Sequence, residues 1–406
     1  MVTKIKPAYD VVLFGASGYT GKLVAQYLAR RGGKPFSWAL AGRDLRKLEK
    51  IRDSLSRINP ALDHIPLIEA NSRDAESMQR LARAARVVIS TVGPYITLGE
   101  PLVAACAEAG TDYVDLTGEP EFVDRMWLRY HDIARASGAH IVHCCGFDSV
   151  PHDLGAYFTV RQLPEGVPIK LEGFVRAGGR MSGGTLSSAV TAMSRWRQMQ
   201  DTRKERRSKE GKPVDRKIGS THPRLRYDRQ LQSWVVPMPT VDPLIVLRTA
   251  SCDERYGSEF RYGHYLQMKN LPMMAAIGGG VGALALASQI GPVRKRLMAL
   301  SSKGYGPTKA EREEGWFSVR FIGSGGGKTV YTEVSGGDPG YGETAKMLAE
   351  SALCLAFDRL TRRPGVQTPA HVMGEALIKR LQAAGIGFNV LESLQPCALP
   401  LRTAEA

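Results

Sequence analysis

Short apolar runs alternate with stretches of helical periodicity along the first third of the chain. The first run, Val11–Phe14, contains no polar residue, as expected of a strand that is buried on both faces of a parallel sheet. A glycine-rich turn follows it, and then Leu23, Val24, Tyr27 and Leu28 share one face of a helix. Five further runs are separated by helical patterns: Phe36–Ala41, Ile65–Ala70, Arg86–Thr91, Tyr113–Leu116 and Ala139–Cys145. This alternation predicts an α/β fold with a doubly wound parallel sheet.

Beyond Val160 strand-like runs follow one another without intervening helices. They are Lys170–Ala177, Val235–Val236, Ile245–Arg248 and Phe260–Met268. Strands in this arrangement predict a second, α+β domain with a mainly antiparallel sheet, inserted after the sixth strand of the first domain.

Two late helical patterns, Glu343–Leu360 and His371–Ala384, are expected to pack back on the first sheet, so that the first domain is discontinuous in sequence. We therefore divide the chain into a first domain, an inserted substrate domain, helices returning to the first domain and a C-terminal tail: residues 1–155, 156–337, 338–390 and 391–406.

The stretch Leu271–Ile290 has no charged residue and must be considered as a membrane span. Its four glycines and Pro272 make it a poor span. We expect a helix that is buried or lines a groove, with contact to a membrane surface as the alternative.

A cofactor site is predicted at the turn after the first strand, where the chain reads GASGYTG. Glycine suits this turn because a Cβ would hold the backbone away from a pyrophosphate, and the N–H groups at the helix start then meet the phosphate charge. The G-x-x-G-x-x-G spacing is a variant of the dinucleotide fingerprint, and its position after the first strand strengthens it. The predicted contacts are Gly15, Ala16, Ser17, Gly18, Tyr19, Thr20 and Gly21.

The second strand ends in Gly42-Arg43-Asp44, where a cofactor's ribose is read in Rossmann-type folds. An arginine at this place favours the 2′-phosphate of NADP, so Arg43 predicts NADP as the cofactor, and Asp44 is expected to cap the next helix. Gly93 and Pro94 follow the fourth strand on the edge where ligands bind, and we expect them to contact the cofactor as well.

A second glycine-rich sequence, GSGGGKT at Gly323–Thr329, looks like a phosphate-binding loop but departs from the pattern. Ile322 stands where the first glycine belongs, and Lys328-Thr329 leads into a strand instead of a helix. We expect a hairpin turn here.

The chain has 406 residues, of which 43% are hydrophobic and 23% charged, and this composition is typical of an ordinary globular protein. Six cysteines lack metal-type spacing, so no metal site is predicted, and a reducing cytoplasm fits them. Met1–Pro7 has no apolar segment typical of a signal peptide. The net charge of +15 leaves an anionic membrane surface or an acidic protein as partners, whereas no nucleic-acid motif accompanies it.

Seven motifs in this order resemble the saccharopine dehydrogenase-like oxidoreductases, and among them the trans-acting enoyl reductases of mycobacterial phthiocerol and phenolphthiocerol lipid synthesis. They are GASGYTG, AGR, STVGPY, DLTGEP, GFDSVP, SGGT and GDPGY. The resemblance extends from Tyr9 to Phe388. It implies an NADP-type Rossmann domain, a substrate domain inserted after the sixth strand, and helices that return after Asp338.

The resemblance implies hydride transfer from NADPH to an α,β-unsaturated acyl thioester in lipid or polyketide synthesis. The chain shows no synthase modules, so an acyl-carrier domain or polyketide synthase is expected to deliver the substrate. Alternatives are a saccharopine-dehydrogenase-like reductase of a small amino or oxo acid and a non-catalytic NADP-binding scaffold. We expect a cytoplasmic protein, with peripheral membrane association as the alternative and a homodimer left open.

Tyr95, after Gly93-Pro94, is the predicted proton donor to a developing enolate oxygen, and a packing role is the alternative. Asp148 and His152, after the sixth strand, are lesser candidates. The segment Arg195–Lys217 holds ten basic and four acidic residues, which predicts either a solvated loop or a landing site for an acidic carrier domain.

Overall fold

The computed structural model describes residues 7–31, 35–179, 190–211, 213, 215–293, 296, 306–361 and 363–394. Its first domain is built on a parallel sheet of seven strands in the order β3-β2-β1-β4-β5-β6-β14. Helices cover both faces of this sheet, as the alternating pattern predicts. The strands are β1 (Tyr9–Phe14), β2 (Trp38–Gly42), β3 (Leu67–Glu69), β4 (Ala85–Ser90), β5 (Asp112–Asp115), β6 (His140–Val142) and β14 (Gly365–Gln367).

The helices of the first domain follow the strands in chain order. The strand order reverses between β1 and β4, which run side by side with Phe14 opposite Ser90. A doubly wound sheet opens a crevice at the carboxyl ends of its strands at such a reversal. The helices are α1 (Tyr19–Arg30), α2 (Leu45–Ser56), α3 (Ala75–Ala84), α4 (Tyr95–Leu98), α5 (Glu100–Ala109), α6 (Pro120–Ser137) and α7 (Val150–Val160).

The second domain has a mixed sheet of eight strands in which most neighbours are antiparallel, so the predicted fold class is confirmed. The order is β15-β13-β12-β7-β11-β10-β9, and β8 pairs with β11. The strands are β7 (Ile169–Gly178), β8 (Lys217–Ser220), β9 (Arg226–Asp228), β10 (Ser233–Pro237), β11 (Glu259–Met268), β12 (Trp316–Gly325), β13 (Lys328–Gly336) and β15 (Gly387–Leu391).

Helices of the second half connect the two sheets. One of them, α9, corrects a prediction, because Ile245–Arg248 was expected to be a strand. Its residues are buried on more than one side, which hides the helical periodicity, and Pro243 stands in its first turn. The helices are α8 (Trp196–Glu210), α9 (Asp242–Cys252), α10 (Leu271–Gln289), α11 (Lys309–Glu313), α12 (Gly342–Phe357) and α13 (Pro369–Ala383).

The part of the chain after residue 338 contributes elements to both domains. Helix α12 packs on α1 and on β4 and β5, and β14 extends the first sheet next to β6. Strand β15, however, pairs with β13 in the second sheet, so residues 387–391 do not return to the first domain as expected. Pairing with β15 satisfies the backbone groups along the outer edge of β13.

Helix α10 is partly exposed where its side chains are described: Leu286 is 74% exposed, and Ile290, just past its end, is 55% exposed, whereas Ser288 is fully buried. Among the described residues, no helix combines the length and the hydropathy required to cross a bilayer. The SGGT motif, Ser182–Thr185, lies outside the described residues.

The GSGGGKT sequence forms the hairpin between β12 and β13, as predicted. Gly326 and Gly327 have φ of 58° and 77°, the left-handed conformations that a two-residue hairpin turn requires. The sequence is therefore structural and not a phosphate-binding loop.

A buried carboxylate fastens α12 to its neighbours. Glu350 accepts hydrogen bonds from the Tyr27 hydroxyl at 2.7 Å and from Arg380 Nη1 at 3.0 Å. Arg31 Nε lies 2.5 Å from its Oε1 atom. The side chain of Glu350 is 1% exposed, so its charge depends on these two arginines.

We predict that Glu350→Ala lowers the free energy of unfolding by about 3 kcal/mol, because Tyr27, Arg31 and Arg380 then lose their contacts with this buried carboxylate. Glu375→Ala is the matched control, since this glutamate of α13 pairs with Arg161 and Lys379 at the surface and its side chain is 47% exposed. The control should lose less than about 1 kcal/mol. Denaturant unfolding of both variants checks this, and equal losses would contradict the role given to Glu350.

Candidate functional site

The glycine-rich turn approaches the end of β4 so closely that side chains are excluded. A Cβ built at Gly15 would lie 2.6 Å from the Thr91 hydroxyl oxygen and 2.8 Å from Val92 Cγ2. Gly15 also has a φ of +88°, which favours glycine. A Cβ at Gly21 would lie 2.2 Å from the Gly15 carbonyl oxygen, so this glycine allows α1 to begin directly against the turn. These contacts give the backbone the tight path that a pyrophosphate site needs.

The start of α1 suits an anion. Gly18, its N-cap residue, provides no side-chain hydrogen bond, and no acidic residue lies in the first turn. The first N–H groups of a helix have no partner within the helix, and the helix dipole adds positive charge there. Gly18 is exposed, whereas Ala16 is fully buried. The residues present therefore fit a dinucleotide phosphate.

Tyr19 differs from the other residues of the turn because its side chain is engaged with the second domain. Its ring packs edge-on against Tyr341 at 4.7 Å between centroids. Its hydroxyl accepts a hydrogen bond from Arg312 Nη1 at 2.7 Å and donates one to the Pro307 carbonyl. Any cofactor contact of Tyr19 would therefore use its backbone.

Arg43 directly follows β2 and is exposed. Within the described ranges it forms no ion pair or side-chain hydrogen bond, so its guanidinium is available to a ligand. Asp44, beside it, caps α2 by accepting a hydrogen bond from the Lys47 N–H at 3.1 Å, as predicted. The arrangement fits recognition of a 2′-phosphate by Arg43.

The loop after β4 is fixed by a carboxylate from the loop after β5. Glu119 accepts hydrogen bonds from the backbone N–H groups of Tyr95 at 3.0 Å and Ile96 at 2.8 Å. Burial raises the pKa of Glu119, and these two hydrogen bonds oppose the rise. Gly93 is exposed and Pro94 half-buried beside this anchored turn, at the carboxyl edge of the sheet.

Tyr95 lies in the core of the first domain. It is 5% exposed, and its hydroxyl donates a hydrogen bond to the Ser90 carbonyl at 2.9 Å. Burial, together with nearby Asp115, raises its pKa well above the ordinary value. The phenol proton is thus committed to the backbone, which favours a packing role, and the catalytic role stays a prediction.

Asp148 lies at the carboxyl edge of the sheet next to the loop after β5. It is half-buried, and a Cβ at Gly118 would lie 3.1 Å from its Oδ2 atom. Burial, and then the charge of Asp242, raises the pKa of Asp148 to about 7. A carboxyl group with this pKa carries a transferable proton near neutral pH. His152, one turn along α7, is 1% exposed and contacts the second domain.

Sequence reasoning ranked Asp148 below Tyr95 because Asp148 could instead cap the helix that follows the sixth strand. The burial that separates the two residues depends on the packing of Phe122 against Tyr95, at 5.8 Å between ring centroids. No local sequence signal reports that contact.

Comparisons with known proteins agree with this geometry. The family model described as the saccharopine dehydrogenase NADP binding domain matches residues 11–142, which span β1 to β6. A Mycobacterium tuberculosis protein whose name assigns it as a trans-acting enoyl reductase is 36% identical, over 94% of this chain and 97% of that protein. A saccharopine dehydrogenase-like oxidoreductase of Bos taurus is 30% identical, over 97% of this chain and all of that protein.

Among solved structures, the apo saccharopine dehydrogenase (L-Glu forming) of Saccharomyces cerevisiae superposes with a TM-score of 0.55. The match covers 94% of this chain and 100% of that chain at 13% identity. At this identity it supports the two-domain fold alone.

We predict that NADPH binds at least tenfold more tightly than NADH and that Arg43→Ala removes most of this preference. One charge-assisted hydrogen-bond contact is worth about 1.5–3 kcal/mol, which corresponds to this factor. Fluorescence titration of both cofactors measures the effect. Arg57→Ala, at the exposed far end of α2, is the control and should keep the preference. Equal binding of the two cofactors by the parent protein would refute the assignment.

Two variants test the proton donor in single-turnover reduction of an enoyl thioester by NADPH. We predict that Asp148→Asn lowers the rate constant at least about tenfold, whereas the rate constant of Tyr95→Phe stays within about twofold of that of the parent. Tyr95→Phe should instead lower the melting temperature, because the Ser90 carbonyl then loses its buried partner. The reverse result, a slow Tyr95→Phe and a normal Asp148→Asn, would establish the tyrosine as the donor.

Proposed function

The chain belongs to the saccharopine dehydrogenase-like oxidoreductases, and from this premise we propose that it is a trans-acting enoyl reductase. Its first domain is an NADP-binding domain, so the predicted family and cofactor are confirmed. The observation that carries the proposal is the 36% identity to the M. tuberculosis relative over nearly the full length of both proteins.

Enoyl reduction needs a hydride at the β-carbon, stabilisation of charge on the thioester oxygen and a proton for the α-carbon. Gly15–Gly21 would hold the pyrophosphate of NADPH and Arg43 its 2′-phosphate, and Gly93 and Pro94 would also contact the cofactor. Bound NADPH would supply the hydride. Asp148 lies at the same edge of the sheet, and because burial raises its pKa to about 7, its carboxyl group would deliver a proton to the α-carbon.

The charges of the second domain favour an apolar substrate over a small dianionic acid. A small dianion would need convergent arginines, and two arginines of the second sheet are already paired: Arg320 Nε donates to Glu333 Oε1 at 2.9 Å, and Arg226 lies 3.2 Å from Glu172 Oε1. Helix α10, in contrast, contains no charged residue and exposes Leu286. An acyl chain is the kind of ligand that such a surface accepts.

Delivery by a carrier domain is supported by the exposed side of α8. Arg197, Lys204 and Arg207 are exposed, so they could meet an acidic partner. Arg206, which the sequence grouped with them, is 4% exposed and pairs with Asp124 and Glu210, so it is excluded from this surface. We call Arg197, Lys204 and Arg207 the basic face of α8.

The test compares substrates in one assay of NADPH oxidation. We expect turnover with an enoyl thioester on an acyl-carrier domain and with a free enoyl-pantetheine, and no turnover with 2-oxo acids supplied with amino acids. Turnover of the oxo acids alone would replace the proposal with a saccharopine-type reaction. Tight NADP binding without turnover of any substrate would favour a scaffold.

The same assay tests the basic face of α8. Reversing its three residues to glutamate should lower kcat/KM for the carrier-bound substrate at least about tenfold, with an effect that shrinks as salt is added, because charge pairing acts on encounter. The free enoyl-pantetheine should react at the parental rate. Arg80, Arg83 and Arg86, exposed near the opposite edge of the sheet, give a control with the same change in net charge. Equal losses in both variants would exclude docking at α8.

A further inference from the structure

Two histidines and one aspartate form a buried cluster where the first domain meets the second sheet. His152 lies in the first turn of α7, Asp242 begins α9, and His264 lies within β11. They are 1%, 3% and 2% exposed, respectively. Three elements that are distant in sequence thus bring three good metal ligands together.

The separations suit one ion. His152 Nδ1 lies 3.2 Å from Asp242 Oδ1, and His264 Nε2 lies 3.6 Å from Asp242 Oδ2. One ligand atom from each residue lies within 4.8 Å of the other two. Ligands bound tetrahedrally at about 2.0–2.2 Å from a metal are separated by about 3.3–3.6 Å. Each histidine therefore lies at about the ligand-to-ligand distance of a bound ion from one carboxylate oxygen of Asp242, His152 from Oδ1 and His264 from Oδ2.

Among the residues that the structure describes, the histidine nitrogens at the centre of the cluster have no hydrogen-bond partner in good geometry. Both ring nitrogens of His152 and the Nε2 atom of His264 are buried without one. Buried polar atoms are normally satisfied, so each of these requires an explanation. A metal ion between the rings would accept the lone pairs of one nitrogen from each histidine.

The groups around the cluster hold the ligands in place as the outer shell of a metal site does. The Tyr262 hydroxyl lies 3.0 Å from His264 Nδ1, which leaves Nε2 as the nitrogen that faces Asp242. Ser149 donates to Asp242 Oδ1 at 3.2 Å, and Thr240 donates to Oδ2. Two of the three ligands are thus oriented by hydroxyl groups.

We propose that His152, Asp242 and His264 bind one divalent transition-metal ion that fastens α7 to α9 and β11. Two imidazoles and a carboxylate form a donor set that suits Zn²⁺, with a fourth position for a water molecule or the Ser149 hydroxyl. Because the cluster is buried, the ion is structural. The site holds the substrate domain against the end of the first domain.

The test uses tag-free parent protein purified from zinc-supplemented medium. Elemental analysis should find about one zinc ion per chain, and removal with dipicolinate should lower the melting temperature by at least about 3 °C, because an ion that binds the folded state stabilises it. Added Zn²⁺ should restore both the metal content and the melting temperature. Parent protein that carries no metal and is indifferent to both chelator and Zn²⁺ would refute the site, leaving a metal-free hydrogen-bonded cluster.

Variants locate the ion. His264→Ala and Asp242→Asn should reduce bound zinc at least tenfold and abolish the response to chelator. His140→Ala is the matched control, because His140 is also buried beside an aspartate, with Nδ1 2.9 Å from Asp112 Oδ1, but lies at the amino edge of the first sheet. It should retain the metal. Loss of zinc in the control, or its retention in both cluster variants, would overturn the assignment. NADPH binding and circular dichroism verify that each variant is folded.

Discussion

The turn after β1 passes so close to the end of β4 that only glycine fits at Gly15, and the rest of the first domain depends on this close contact. Gly15 lies against Thr91, and Gly21 lies against Gly15, so the chain passes from strand to helix without moving away from the sheet. Thr91 reinforces the contact by donating from its hydroxyl to the Phe14 carbonyl at 3.1 Å. The uncapped start of α1 thereby faces the crevice where the strand order reverses.

Carboxylates position the loops and helices around that crevice. Glu119 fixes the turn after β4, and Glu121 in α6 binds Arg195 through two hydrogen bonds of 2.7 Å. Asp124, one turn further along α6, pairs with the buried Arg206 of α8. The charge of Arg206 is therefore used inside the protein, and the charge of α8 left for a partner is smaller than the sequence suggests. Net charge along a segment does not show which of its residues face solvent.

The sequence predicts the first domain well because each β-strand there is a short apolar run bounded by glycine or by a capping residue such as Asp44. It predicts the second domain less well, since α9 is too deeply buried to show helical periodicity, and α10 is apolar although Leu286 faces solvent. Within the candidate site, the glycine-rich turn and Arg43 are local motifs and can therefore be predicted from the sequence. The burial of Tyr95 and the meeting of His152 with His264 depend on tertiary packing and leave no local trace.

The interleaving of the two sheets at the end of the chain affects how the protein reaches its native state. Strand β14 completes the first sheet beside β6, although the two are separated by the whole inserted domain. A nascent chain on the ribosome thus leaves the outer edge of β6 unpaired until residue 367 has emerged. Contacts of such long sequence separation carry a high loop-closure entropy and form late in folding. The partly synthesised chain therefore exposes a strand edge that is prone to pair with other chains until β14 has emerged.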